Sequence, residues 1–193
     1  MRIPKMKVSM NNLMRSMLML AAVFFFSQCD TEDPEPENEE ELITTVTLTF
    51  SPAGDGEDVL FRVYDEDGDG PIEPVYTNGI LEANTTYTVA VEVLNEEEGE
   101  DITEEILEED EEHQFFFRTS NGLNLEFAYN DTDGDGNPIG LSTVFVTGEA
   151  SEGTLTVTLR HEPNKEAEGV KSGDIANAGG ETDVEAVFDV VIQ

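Results

Sequence analysis

Thr45-Val46-Thr47-Leu48-Thr49-Phe50 places a threonine at every odd position and an apolar side chain at every even one. A period of two is the geometry of a strand, whose successive side chains face opposite sides, so this stretch predicts a half-buried β-strand. The same alternation recurs along the chain. Val59, Phe61 and Val63 share one parity and Leu60, Arg62 and Tyr64 the other. Tyr87, Val89, Val91 and Val93 form a further apolar face, as do Leu155, Val157 and Leu159 between Thr154, Thr156 and Thr158. Val184, Ala186, Phe188, Val190 and Ile192 form the last. Residues 115–120 and 123–129 flank Asn121-Gly122, which predicts a hairpin. Several strands with turn signals between them predict an all-β fold, a single β-sandwich that is immunoglobulin-like or related. Asp101-Ile102-Thr103-Glu104 reads as a capping box opening one short helical turn through Leu107, decorative to the sheets.

An internal repeat extends the reading. Phe61-Arg62-Val63-Tyr64-Asp65-Glu66-Asp67-Gly68-Asp69-Gly70 aligns without a gap with residues 127–136, and Thr86-Tyr87-Thr88-Val89 aligns with residues 154–157. The expected sandwich domain, residues 42–193, is therefore two pseudo-repeats packed face to face, about 42–95 and 113–193. Between them lies an acidic insert, 96–112, in which 12 of 17 residues are Asp or Glu. A four-stranded unit alone would bury too little surface to be stable, which favours one domain over two.

The repeated turn carries the clearest chemistry. Asp65, Asp67, Asp69 and Gly70 stand in Asp-x-Asp-x-Asp-Gly order, as do Asp131, Asp133, Asp135 and Gly136. Alternate residues of a tight loop can turn their carboxylates inward on one cation, and the glycine permits the bend. Calcium takes six to eight oxygens, and an EF-hand supplies a glutamate at position twelve. Here that position is Tyr76 in the first loop and Ser142 in the second, while Glu73 stands at position nine of the first. Both loops are similar to the minimal calcium loops of bacterial surface proteins, with ligands missing. The competing reading is that Asp and Gly are simply good turn formers between strands.

His113 and His161 are the other candidates. Each lies where a strand meets acidic residues, His113 after Glu112 and His161 before Glu162, and each shares the parity of the apolar face of its strand. If those strands are antiparallel, the two imidazoles meet at one end of the sandwich. With Glu112 or Glu162 they could bind zinc or copper. Solvated histidines paired with nearby carboxylates are the plainer alternative.

Charge excludes several partners. The chain has 44 acidic and 9 basic residues, a formal charge of −35. Such a surface repels nucleic acid, which requires a basic footprint, and anionic lipid headgroups. Its self-repulsion is relieved by bound cations. No Gly-x-Ser-x-Gly, His-Glu-x-x-His or glycine-rich phosphate loop is present, and no tryptophan offers a sugar-stacking surface. The protein is therefore read as a non-enzyme.

The N-terminal region is built differently. Arg2, Lys5, Lys7 and Arg15 precede an apolar run at 17–26, then Ser27, Gln28 and Cys29, the only cysteine, and an acidic stretch at 30–41. Ten apolar residues are too few to cross a bilayer core of roughly 30 Å as a lasting helix. They match the apolar segment of an export signal. Residues 26–29 resemble the lipobox of bacterial lipoproteins, with Gln28 in place of the usual small residue and Phe26 in place of an aliphatic one. The acids after Cys29 resemble the export signal of surface lipoproteins of the Bacteroidota. That resemblance implies a signal peptide at 1–28, lipid attachment at Cys29 and a disordered tether at 29–41. It also implies an outer-membrane location facing the cell exterior. The stretches 38–46, 159–165 and 179–183 are similar to those of short Bacteroidota lipoproteins that accompany TonB-dependent receptors, so such a receptor is the implied partner. An α/β label carried by some of those relatives disagrees with the strand pattern here.

Together these readings give an expected function. It is a lipid-anchored, non-enzymatic outer-membrane protein that binds a cation or small ligand as accessory to an uptake receptor. The alternative is a structural or adhesive surface module whose acidic loops calcium makes rigid.

Overall fold

The computed structural model describes residues 42–68 and 70–193. The expected signal peptide 1–28, Cys29 and the tether 29–41 lie outside the described residues, as does Asp69 of the first aspartate loop.

The alternating stretches all form strands. In chain order these are β1 (Thr45–Pro52), β2 (Val59–Tyr64), β3 (Val75–Thr77), β4 (Ile80–Leu81), β5 (Thr86–Asn95) and β6 (Glu100–Asp101). A short helix, α1 (Ile102–Glu108), follows, then β7 (His113–Thr119), β8 (Leu125–Tyr129), β9 (Ser142–Thr147), β10 (Ser151–His161) and β11 (Glu181–Ile192). One sheet runs β3-β2-β1-β5-β9-β8, with β6 attached to β5, and the other runs β4-β11-β10-β7. Every pairing is antiparallel except β4 with β11. The two sheets pack as an all-β sandwich.

The core is the set of inward parities read from the sequence. Val46, Leu48, Phe50, Phe61, Tyr87, Val89 and Val93 on one sheet bury against Phe115, Phe117, Leu155, Val157, Phe188 and Val190 on the other. Aromatic pairs stitch the layers together. Phe61 meets Phe188 with ring centroids 6.0 Å apart, and Phe117 meets Phe145 at 5.4 Å, both edge to face. Edge-to-face pairs suit the ring quadrupole and each contribute about 1 kcal/mol beyond area burial.

Three local expectations are corrected. Asn121-Gly122 does not close a hairpin. Gly122 takes a positive φ of 96° in a turn closed by Leu123 N–H donating to the Ser120 carbonyl. The strands on either side part, β7 joining β10 and β8 joining β9 in the opposite sheet. Apolar residues on both flanks, Phe117 and Leu125, face one core, so the chain arches over it instead of folding back in plane. The repeat also does not map one half onto each sheet. β2 and β8, which precede the two aspartate loops, share the larger sheet, whereas β5 and β10, the other matched strands, lie in opposite sheets. Finally, α1 is not decorative. Ile102 and Ile106 are buried in the main core, and burying each stabilises the fold by about 2 kcal/mol. The Thr103 hydroxyl donates to the Val93 carbonyl at 3.1 Å and accepts from its N–H at 2.9 Å, which holds the helix on β5. Its N-cap is Asp101, whose carboxylate accepts from Thr103 N–H at 3.1 Å.

Candidate functional site

β10 ends and β7 begins at the same edge of the smaller sheet, and their register sets His161 directly opposite His113. Both imidazoles therefore lie on the core-facing side at one end of the sandwich. The rings stack with centroids 4.7 Å apart and planes 26° from parallel. A third side chain joins them from β11. There the register with β10 slips: Val184 faces Leu159 and Thr182 faces Arg160, which leaves Asp183 as the extra residue of a β-bulge. A bulge turns a side chain out of the regular alternation. Here it aims Asp183 at both histidines, Oδ2 lying 3.9 Å from His113 Nε2 and Oδ1 3.9 Å from His161 Nδ1.

The neighbouring residues hold this corner in place. Arg160 donates to the carbonyls of Gly179 at 2.6 Å and Gly180 at 2.8 Å, and to the hydroxyl of Thr182, so one guanidinium clamps the turn that leads into the bulge. Gly180 has φ of 67°, and a Cβ there would come within 2.1 Å of the His161 carbonyl oxygen, so only glycine fits. Glu162 N–H donates to the Glu112 carbonyl at 2.7 Å, tying the end of β10 to the start of β7. Glu109 caps α1, and its carbonyl oxygen lies 3.1 Å from His113 Nδ1. The helix thereby orients the His113 ring.

The four residues singled out here in the sequence do not form one ligand set. His113 and His161 group with Asp183, while His161 also groups with Glu112 and Glu162 nearer the surface. His161 Nε2 is 3.9 Å from Glu112 Oε2. Sequence reasoning missed Asp183. Its signal was in plain view, as Gly179-Gly180 followed by an acid at the root of a strand, but the bulge that re-aims it depends on pairing with β10.

Asp183 also lines a cleft of ≈ 390 Å³ between the two sheets, together with Asp65, Asp67 and Glu185, and no basic side chain lines it. The first aspartate loop thus opens onto the same end of the molecule as the histidines. Asp67 Oδ2 accepts from Ile72 N–H at 3.2 Å, while its Oδ1 is buried with no hydrogen-bond partner among the described residues. Glu73 is exposed.

The second loop is closed on itself. Asp131 accepts from Gly140 N–H at 2.8 Å and Ser142 N–H at 2.7 Å through its two oxygens. Asp133 Oδ1 accepts from the amides of Asp135 and Asn137. Its Oδ2 meets the ammonium of Lys165 at 2.9 Å, and both side chains are almost fully buried. Lys165 Nζ also donates to the Asp110 carbonyl, linking the loop to the chain between α1 and β7. Burial alone would push the Asp133 carboxyl up. The Lys165 hydrogen bond and charge and the two amides outweigh it and hold the carboxyl below its ordinary value. Asp135, by contrast, is exposed at the loop tip. Neither grouping of possible metal ligands among the described residues includes an aspartate of either loop.

No protein-family model, curated protein or solved structure matches the chain. Among the described residues no helix is long and apolar enough to cross a membrane.

Proposed function

We propose that the protein is a lipid-anchored, non-enzymatic module of the outer cell surface that takes up a small cation in the cleft between its sheets, as accessory to an uptake receptor. One observation carries the binding part of this reading. Asp65, Asp67, Asp183 and Glu185 line a single cleft without a counter-charge from Lys or Arg in its walls. Carboxylates brought together in a partly enclosed cleft favour a cation, because each makes the potential at the next more negative. The buried Oδ1 of Asp67, which has no partner among the described residues, adds to this, since a buried polar atom left unsatisfied costs free energy that a ligand can recover. The attachment part rests on Cys29 and the acids that follow it, and the receptor part on the resemblance to lipoproteins that accompany such receptors.

The structural or adhesive reading draws on the second loop alone, where Lys165 and four amides already satisfy the carboxylates of Asp131 and Asp133. It accounts for that loop and leaves the cleft without a role.

Calorimetric titration of the full-length chain in detergent, at constant ionic strength, tests the cleft. Calcium should bind with a Kd of about 0.1–1 mM, the range of extracellular sites. Asp65→Asn combined with Asp67→Asn should weaken it by about tenfold, as losing two charged ligands from a hard-cation site requires. Equal heats from wild type and double variant would sink the reading. Incorporation of labelled fatty acid, lost in Cys29→Ser, checks the anchor in the same strains.

A further inference from the structure

We propose that His113, His161 and Asp183 form a binding site for a divalent first-row transition metal of the zinc type. The inference deepens the cation-binding reading, with which it shares Asp183, and assigns a chemically distinct ion to the histidine side of that residue. Three features of the geometry carry it.

The first is the donor set. Two imidazole nitrogens and one carboxylate are borderline ligands, suited to zinc, copper or nickel and poorly suited to calcium or magnesium, which take oxygen. Three protein ligands with an open fourth position is the usual count for a zinc site that also contacts solvent or substrate. Of the three ligands, Asp183 alone also lines the cleft.

The second is spacing. Asp183 presents a different oxygen to each imidazole, both at 3.9 Å, which is longer than a hydrogen bond. Two metal–ligand bonds of about 2.1 Å meeting at a tetrahedral angle span about 3.4 Å. Closing the gap by about half an ångström is within the reach of side-chain rotation, since the site lies at a strand end. The stacked rings must open for both lone pairs to meet one ion. His161 is the last residue of β10, and its side chain is the more exposed of the two imidazoles, 14% against 9%.

The third is orientation by an outer partner. A metal-bound histidine usually donates its other ring N–H to a carboxylate or backbone carbonyl, which sets the tautomer and frees the second nitrogen for the metal. His113 Nδ1 lies 3.1 Å from the Glu109 carbonyl oxygen, which makes Nδ1 the protonated nitrogen and leaves the lone pair on Nε2, the atom facing Asp183. A buried, solvated-type pair would need neither this helix-cap contact nor a strand bulge to aim an acid at it. Glu112, 3.9 Å from the far nitrogen of His161, stands at the outer rim, where it draws cations inward.

The test uses the full-length chain in detergent with excess magnesium present, so that oxygen-only sites are filled. Zinc should bind at one ion per chain. His161→Asn and Asp183→Asn should each weaken it by about tenfold or more, at least the loss that removing an outer-shell partner brings. Glu126→Gln, on exposed β8 surface, should leave it unchanged. Copper(II) titrated into the unaltered protein should show an electron paramagnetic resonance spectrum with coupling to two imidazole nitrogens, a readout that needs no variant to fold. Zinc binding no stronger than that of magnesium, zinc binding indifferent to His161→Asn, or an all-oxygen copper spectrum would each overturn the proposal. The two readings separate cleanly. Asp65→Asn with Asp67→Asn should reduce calcium binding and spare zinc, and His161→Asn should do the reverse.

Discussion

The two aspartate loops carry the same Asp-x-Asp-x-Asp-Gly string and come off two strands of the same sheet, yet they end in opposite states. The loop at 131–136 has two of its three carboxylates satisfied: backbone amides take Asp131 and one oxygen of Asp133, and the buried ammonium of Lys165 takes the other. The loop that begins at Asp65 opens on a cleft without basic lining, and a carboxylate oxygen of Asp67 is buried there without a hydrogen bond among the described residues. The difference lies in what the rest of the chain delivers. One loop receives an internal cation from 32 residues away, and the other receives none in its cleft. An acidic turn motif therefore specifies a demand for positive charge and leaves open who meets it.

Removing the internal cation should produce the largest effect. Lys165→Met leaves the buried Asp133 carboxylate unpaired and also frees the Asp110 carbonyl. A loss of about 3–5 kcal/mol in unfolding free energy is expected, measured by chemical denaturation. Asp67→Asn in the open loop should change stability by less than about 1 kcal/mol. Similar losses at both positions would break the comparison.

An intermediate effect concerns pH. Because Asp133 is held below its unfolded value of about 3.9, the stabilisation it receives is complete above that value. It is lost as the pH falls through the lower, folded value. Without the lysine, burial pushes the variant's Asp133 carboxyl up, so the stability gap between wild type and Lys165→Met should be widest near neutral pH, begin to narrow above about pH 4 and go on narrowing as the pH falls below it. Denaturation midpoints across that range measure it, and a gap that persists in acid would remove Asp133 as its source.

The smallest effect sharpens the comparison. At 10 mM calcium, a site with a Kd of about 1 mM stabilises the fold by about 1.4 kcal/mol, which for a domain of this size raises Tm by about 3–4 °C. Wild type should show this increment over matched sodium chloride, from the open loop alone. Lys165→Met should show a larger one, because calcium can then enter the loop that lysine had occupied. Equal increments would mean that the second loop is shaped for amides and lysine only.

Much of this site was half legible from sequence. The parity of His113 with Phe115 and Phe117, and of His161 with Leu155, Val157 and Leu159, is enough to send both imidazoles to the core side of their strands. That they meet depends on β7 and β10 being neighbours, which the Asn121-Gly122 signal obscured by arguing for a pairing of β7 with β8. Asp183 was illegible for a related reason. Its parity on β11 is that of the outer face, and only the slip opposite Arg160 turns it inward. Lys165 carried no local signal at all, being one of five cations beyond residue 28 in a chain dominated by acids.

What the sequence determined by itself was local. The period-two alternation dictated strands and selected which side of each would be buried, since a strand's two faces are set by its own pleat. It also marked acidic turns, because Asp and Gly satisfy tight bends without help from afar. Tertiary structure alone decided which strands pair, where the bulge falls and which charge answers which. Those choices join residues tens of positions apart, and their energies depend on burial and register that no short window contains. Asp133 and Asp67 illustrate the limit: the same residue in the same motif is an ion-paired anchor in one place and the wall of an open cleft in the other, because only one of them lies within reach of Lys165.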